Sequence, residues 1–251
     1  MRALLVGESW QQVIIHQKGF DQFQTCSYEE GAADFERAII AEGIELDWMR
    51  AHDVPERFPY QIEDVSSYDV IVLSDIGANS FLLAPKVMDA SQRTPNRLAM
   101  LADWTERGGG LVMVGGYLSF TGIDARARFG ESPLAEALPV TMLSQDDRVE
   151  VPEGIVPQVA LPGHEIVQGV TGEWPHVLGY NRVRAKQGAD VVAAFGDDPG
   201  IVAAEFGKGR TVAFLSDLAP HWAPPEFVQW EHYGALWGNI LRWTARASVA
   251  A

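Results

Sequence analysis

Apolar residues in this chain come in short uninterrupted blocks set off by glycine-marked turns, the pattern of strands buried on both faces. The sharpest block is Leu111-Val-Met-Val114, preceded by Gly108-Gly-Gly110 and followed at once by Gly115-Gly116. The two glycines let the backbone turn sharply, so Tyr117 to Phe120 are displayed at the carboxyl end of a central strand. In open α/β sheets that edge is where ligands bind and where nucleophile elbows sit. Arg2–Gly7 reads as a first strand that delivers Glu8, Ser9 and Trp10 to the same edge. Residues 44–49 read as a second strand and 68–73 as a third, the latter ending at Ser74, Asp75 and, past Gly77, Asn79.

Helical spacing fills the intervals. Ser27-Tyr-Glu-Glu30 has the form of a capping box and predicts a helix to about Glu42, with Phe35, Ile39 and Ile40 inward and Gly43 as its stop. Thr94-Pro95 supplies an N-cap and a first-turn proline for a helix running to Arg107, with Leu98, Leu101 and Trp104 inward. Residues 53–67, with two prolines, read as irregular surface. Residues 10–23 show no clear period. They carry His16, Lys18, Gly19, Phe20, Asp21 and Phe23, and read as a long loop covering the functional edge.

From Asp124 onward prolines punctuate short segments, so residues 124–190 are expected to form a loop- and β-rich insertion within a single domain spanning 1–251. Residues 191–195, 201–206 and 211–215 then read as an antiparallel meander, the last strand ending at Ser216-Asp217 ahead of His221-Trp222. Pro224-Pro225 opens a terminal helix on which Trp230, Tyr233, Trp237, Ile240 and Leu241 recur at helical spacing, as core or subunit interface. The class is α/β: a doubly wound, mostly parallel sheet, with antiparallel strands in the C-terminal half.

Composition narrows the partners. The 251 residues, 47% hydrophobic, are enough for one large core. A formal charge of −15 argues against nucleic acid and against an anionic membrane surface, since either would require clustered cations. No apolar run reaches the ~18 residues of a membrane span, and the first residues lack a signal peptide's layout, so a cytoplasmic protein is expected. The single Cys26 excludes an internal disulfide and any multi-cysteine metal site. The aromatic terminal helix and acidic surface are compatible with a homo-oligomer of undefined order.

Several segments together carry a family resemblance: the glycine-rich turn and elbow at 108–122, Gly7-Glu-Ser-Trp10 with Lys18-Gly-Phe-Asp21, Ser74-Asp-Ile-Gly77, and Ser216-Asp-Leu-Ala-Pro-His-Trp222. The whole chain resembles the putative glutamine amidotransferase family, a branch of the class I glutamine amidotransferase-like fold. That resemblance implies a flavodoxin-like sheet with its functional edge where the strand ends above place it. It also implies a Gly-x-Cys-x-Gly elbow and a later histidine and acid. Here Gly115-Gly-Tyr-Leu-Ser119 puts Tyr117 at the nucleophile position and Ser119 at the final glycine. A phenol is a poor nucleophile without an activating base, and Cys26 is far in sequence from the elbow, so glutaminase activity is expected to be absent.

Three chemistries stay open at this edge. Ser119 could act as nucleophile with His221 as base and Asp217 or Asp75 orienting it, in the chain order of α/β hydrolases. Glu8, His16, Asp21, Asp75, Asp217 and His221 could ligate a metal, each from a different strand end; no His-x-x-x-His pair exists, and no metal or other cofactor is assigned. The favoured reading is a pocket rimmed by Trp10, Tyr117, Phe120 and Trp222, with Asp75, Asn79, Asp217 and His221 as hydrogen-bonding groups. Glu8, His16, Lys18 and Asp21 lie beside it. That mixture suits a small polar, sugar-like molecule.

Overall fold

The computed structural model describes residues 1–247. Its strands in chain order begin with β1 (Arg2–Gly7), β2 (Ser9–Lys18), β3 (Asp21–Glu30), β4 (Glu45–Met49), β5 (Val70–Ser74) and β6 (Gly110–Val114). They continue with β7 (Val140–Met142), β8 (Arg148–Ile155), β9 (Gln158–Val159), β10 (Val177–Asn181) and β11 (Val183–Ala185). The last three are β12 (Asp190–Phe195), β13 (Asp198–Phe206) and β14 (Gly209–Phe214).

The main sheet runs β4-β1-β5-β6-β14-β13-β12-β9. Its first five strands pair in parallel, and β13, β12 and β9 extend it antiparallel. Counting only the parallel strands, the order is second, first, third, fourth, fifth, the flavodoxin-like arrangement with its direction reversal between β1 and β5. Every residue of β5 and β6 is buried, as the unbroken apolar blocks require. Crossovers are right-handed, so the reversal sends the Ala33–Ala41 and Arg97–Glu106 helices to opposite faces. The Tyr233–Thr244 helix joins the first of these, with the Phe35 and Trp237 rings edge to face at 5.2 Å. The meander of β12, β13 and β14 has the predicted antiparallel pairing. Most of the proline-punctuated stretch lies off the main sheet, in the two ladders β8–β10 and β7–β11.

Several local expectations are corrected. Residues 10–23 are not a loop: β2 and β3 form a ten-pair hairpin closed by Gly19-Phe20. Gly19, at φ +63°, takes the first central position of the two-residue turn, where glycine is favoured. The hairpin escaped prediction because nearly all of it is exposed on both faces, so no buried face imposes alternation. Ser27 to Glu30 belong to β3 rather than a capping box, and the first helix starts at Ala33 without a side-chain cap. Ile40 faces solvent, while Phe35 and Ile39 are buried. Asn96, not Thr94, caps the Arg97–Glu106 helix, its Oδ1 accepting from the Leu98 and Ala99 amides. Residues 53–67 contain two single-turn helices, Val54–Arg57 and Ile62–Val65. The C-terminal helix is broken: a turn at Pro225–Val228 precedes the long helix from Tyr233, and Trp230 lies between them.

Candidate functional site

Four successive parallel strands, β1, β5, β6 and β14, end on one edge, and the residues just past each strand enter one cleft of about 510 Å3. Its lining is Glu8, Trp10, Gln12, Asp75, Tyr117, Asp217, Ala219, Pro220 and His221. Glu8 and Asp75 sit at the two strands flanking the direction reversal, and each is held in the left-handed region, at φ +51° and +43°. Non-glycine residues adopt that backbone only when their surroundings impose it, and such strain gathers at functional sites. Gly7 and Gly116 supply the approach that presses these acids inward: a Cβ on Gly7 would lie 1.9 Å from the Ser74 carbonyl oxygen, and one on Gly116 2.9 Å from Asp75 Oδ1.

The electrostatics are unusual because three acids share the cleft. Burial, followed by the charges of Asp217 and Asp75, pushes the Glu8 carboxyl well above its ordinary range, although the Ser74 hydroxyl donates to it. Burial and the Asp75 charge push Asp217 well up too, offset in part by the Ala219 amide, which donates to Oδ1 at 3.0 Å. Asp75 is raised by burial against the pull of the Leu118 amide, which donates at 2.7 Å, and of His221. Burial lowers the imidazole of His221, whose Nδ1 stands 3.9 Å from Asp217 Oδ2. These shifts favour the uncharged form of each group, and an uncharged carboxyl or imidazole can both donate and accept hydrogen bonds.

Tyr117 leaves the elbow into this space. Its ring meets His221 edge-on at 4.3 Å, and the Arg148 guanidinium stacks over it at 4.7 Å. Arg148 is itself held by Asp146, so it backs the ring without entering the cleft lining. Tyr117 does not carry left-handed strain, which Gly116 and Phe120 take on either side of it. The elbow is clamped by Asn181, a residue with no sequence signal: Oδ1 accepts from the Gly116 amide at 3.0 Å, and Nδ2 donates to Gly116 O and to Asp147 Oδ1. Asp147, buried, in turn accepts from the Thr121 and Gly122 amides. Asn181→Ala leaves several of these polar groups unpaired and is expected to cost about 1–3 kcal/mol. Urea unfolding at unchanged m-value reads that loss, and a change under about 0.5 kcal/mol would refute the clamp.

The family model described as "Putative glutamine amidotransferase" matches residues 2–246. The chain belongs to this family. A cytoplasmic protein of Salmonella typhimurium is 43% identical, with a TM-score of 0.95 over 97% of this chain and 99% of its own. A second cytoplasmic protein, from Salmonella typhimurium LT2, is 45% identical with a TM-score of 0.94 at the same coverages. A ThuA-like protein of Bacteroides uniformis, 14% identical with a TM-score of 0.57 over 97% and 90% of the chains, shares the fold. No protein of curated function matches.

Of the residues singled out in the sequence, Glu8, Trp10, Asp75, Tyr117, Asp217 and His221 line this one cleft. The others do not. Ser119 is buried outside the cleft lining, its Oγ accepting from the Asp75 amide at 3.2 Å. Phe120 is fully buried core. Trp222 is also buried; it stacks behind His221 at 5.5 Å and donates its indole N–H to Glu150 Oε2 at 3.0 Å. Asn79 opens a short helix outside the lining. His16, Lys18 and Asp21 sit at the far end of the hairpin, His16 stacked on Phe23 and Lys18 paired across the strands with Asp21. Cys26 is exposed on β3. Among the described residues no three His, Cys, Asp or Glu side chains are placed to hold a metal ion. Gln12 was missed because its strand looked like a loop.

Proposed function

We propose that this chain binds a small, hydroxyl-rich and uncharged or cationic molecule in the cleft and does not hydrolyse glutamine. The observation that carries the reading is the composition of the lining: three acids, His221, Gln12 and the Trp10 and Tyr117 rings, with no lysine or arginine. The lining holds no cation to receive the α-carboxylate of glutamine, and the elbow offers a phenol where thiolate attack would be needed. Hydroxyl groups suit carboxyl and carboxylate partners, and aromatic rings cover the apolar faces of a sugar. The −15 formal charge supports a site without nucleic-acid or anionic-membrane partners, and the two cytoplasmic Salmonella relatives support a cytoplasmic setting.

One further observation favours proton transfer on the bound molecule: His221, whose imidazole burial lowers, holds Nδ1 3.9 Å from Oδ2 of Asp217, whose carboxyl burial raises, so a base and an acid stand side by side.

Calorimetric titration against neutral sugars and polyols, primary amines and glutamine tests the proposal. A neutral polyol is expected to bind, and Asp75→Asn is expected to weaken it about tenfold or more, the loss of a hydrogen bond to a charged group. Ammonia release from glutamine by the purified protein would sink it.

A further inference from the structure

The cleft brings three carboxyl groups together and no cation with them. Glu8 and Asp217 are all but fully buried, at 2% and 4% exposure, whereas Trp10 and His221 are exposed where the cleft opens. The protein uses only part of each acid. Glu8 Oε1 accepts from the Ser74 hydroxyl, and its Oε2 accepts from no group of the described residues. Asp217 Oδ1 accepts from the Ala219 amide, while the only cationic partner near Oδ2 is His221 Nδ1, at 3.9 Å and beyond hydrogen-bonding reach. Two deeply buried acids thus present acceptor oxygens to an enclosed space, and buried polar atoms of that kind call for a donor.

The chain itself does not supply that donor. Among the described residues no lysine or arginine pairs with Glu8, Asp75 or Asp217, and Arg148, behind the Tyr117 ring, is engaged by Asp146 and Glu150. Nor are three acids or histidines placed to hold a metal ion among those residues. The cation that suits this lining is an organic one. An alkylammonium carries three N–H donors, one charge and no acceptor, whereas a hydroxyl brings a single donor and no charge. Hydrogen bonds from a charged donor are about twice as strong as neutral ones.

We infer that the preferred ligand of the cleft is an amino sugar or amino polyol, its primary ammonium group against Glu8 and Asp217 and its hydroxylated body against Trp10 and Tyr117. This rests on the reading of the cleft as a site for a hydroxyl-rich molecule and names the member of that class that it favours. A volume of about 510 Å3 is far more than an ammonium group fills, so the cation arrives on a larger body. The indole and phenol faces suit the C–H faces of that body and, where the ammonium reaches them, the cation too. Burial favours the protonated acids in the empty cleft, and an ammonium beside them favours the carboxylates, so both release protons to solvent as the cation enters. That deprotonation takes back part of the gain and leaves the preference for the amine moderate.

Calorimetric titration of the full chain at neutral pH with matched pairs tests this: glucose with glucosamine, galactose with galactosamine, sorbitol with glucamine. The amine of at least one pair is expected to bind about tenfold or more tightly than its hydroxyl counterpart. A chain of formal charge −15 attracts any cation to some degree, so two variants locate the preference. Glu8→Gln and Asp217→Asn, made singly, each remove one charge and leave that general attraction in place, yet each is expected to bring the ratio of amine to hydroxyl affinity close to one. Melting curves identify the folded variants, and one folded variant is enough. Equal or weaker binding of every amine overturns the inference and leaves the hydroxyl-rich reading standing. A preference that a folded variant retains in full overturns it as well, as a general attraction for cations. Binding of none of the compounds overturns both.

Discussion

Gly7→Ala is expected to lower the unfolding free energy by about 2–5 kcal/mol and to abolish ligand binding. Gly7 stands at φ +113°, a region that costs a residue with a Cβ roughly 1–2 kcal/mol. The new methyl would lie 1.9 Å from the Ser74 carbonyl oxygen and 3.2 Å from Ile76 Cβ, an overlap that only separation of β1 from β5 relieves, at a further ~1–3 kcal/mol. That carbonyl also accepts from the Glu8 amide at 3.1 Å, so the displaced strand takes Glu8 with it. Urea titration with m held in common measures the first effect and calorimetry the second. A variant within 1 kcal/mol of the parent that still binds would show that the strand ends are not fixed this tightly.

The second large effect concerns the acids themselves. Glu8 and Asp217 have folded-state pKa values raised well above the ordinary carboxylate range near 4, so between that range and the raised values the folded state holds more protons than the unfolded one. Stability therefore falls as pH rises through this window, by up to about 1.4 kcal/mol per pH unit for each full proton of difference. Melting temperature is expected to climb as pH is lowered from 8 to 5. His164 and His221, whose imidazoles burial lowers, oppose the climb as pH falls through the ordinary histidine range, and acids held low by arginines, such as Asp146 and Glu30, oppose it below the ordinary carboxylate range. Glu8→Gln with Asp217→Asn should flatten the slope between pH 5 and 8. Asp217→Asn alone should remove part of that slope, since the amide keeps an acceptor for Ala219 and does not ionise. A melting temperature that falls steadily from pH 8 to 5 in the parent would contradict the assignment.

The apolar blocks at Arg2–Gly7, Val70–Ser74 and 111–114 were sufficient by themselves to fix a parallel core, because a strand buried on both faces must be apolar at every position. The residues just past those blocks, Glu8, Asp75 and Tyr117, were for that reason legible as one edge, and Asp217 and His221 joined them once the meander's last strand was recognised. That the elbow carries Tyr117 and no cysteine was equally plain, being a matter of residue identity alone.

What the sequence left undecided depended on neighbours distant along the chain. Ser119 and Asp75 are separated by 44 residues, and only the folded chain brings the serine Oγ to the Asp75 amide. Asn181 clamps Gly116 across 65 residues with nothing local to mark it. The β2–β3 hairpin carries no buried face, so periodicity could not announce it, and Ser27 to Glu30 mimicked a helix cap. Hydrophobic pattern records whether a position is buried; which polar groups meet, and whether an exposed strand is paired, is fixed only when the folded chain brings distant backbone and side-chain donors within hydrogen-bonding distance.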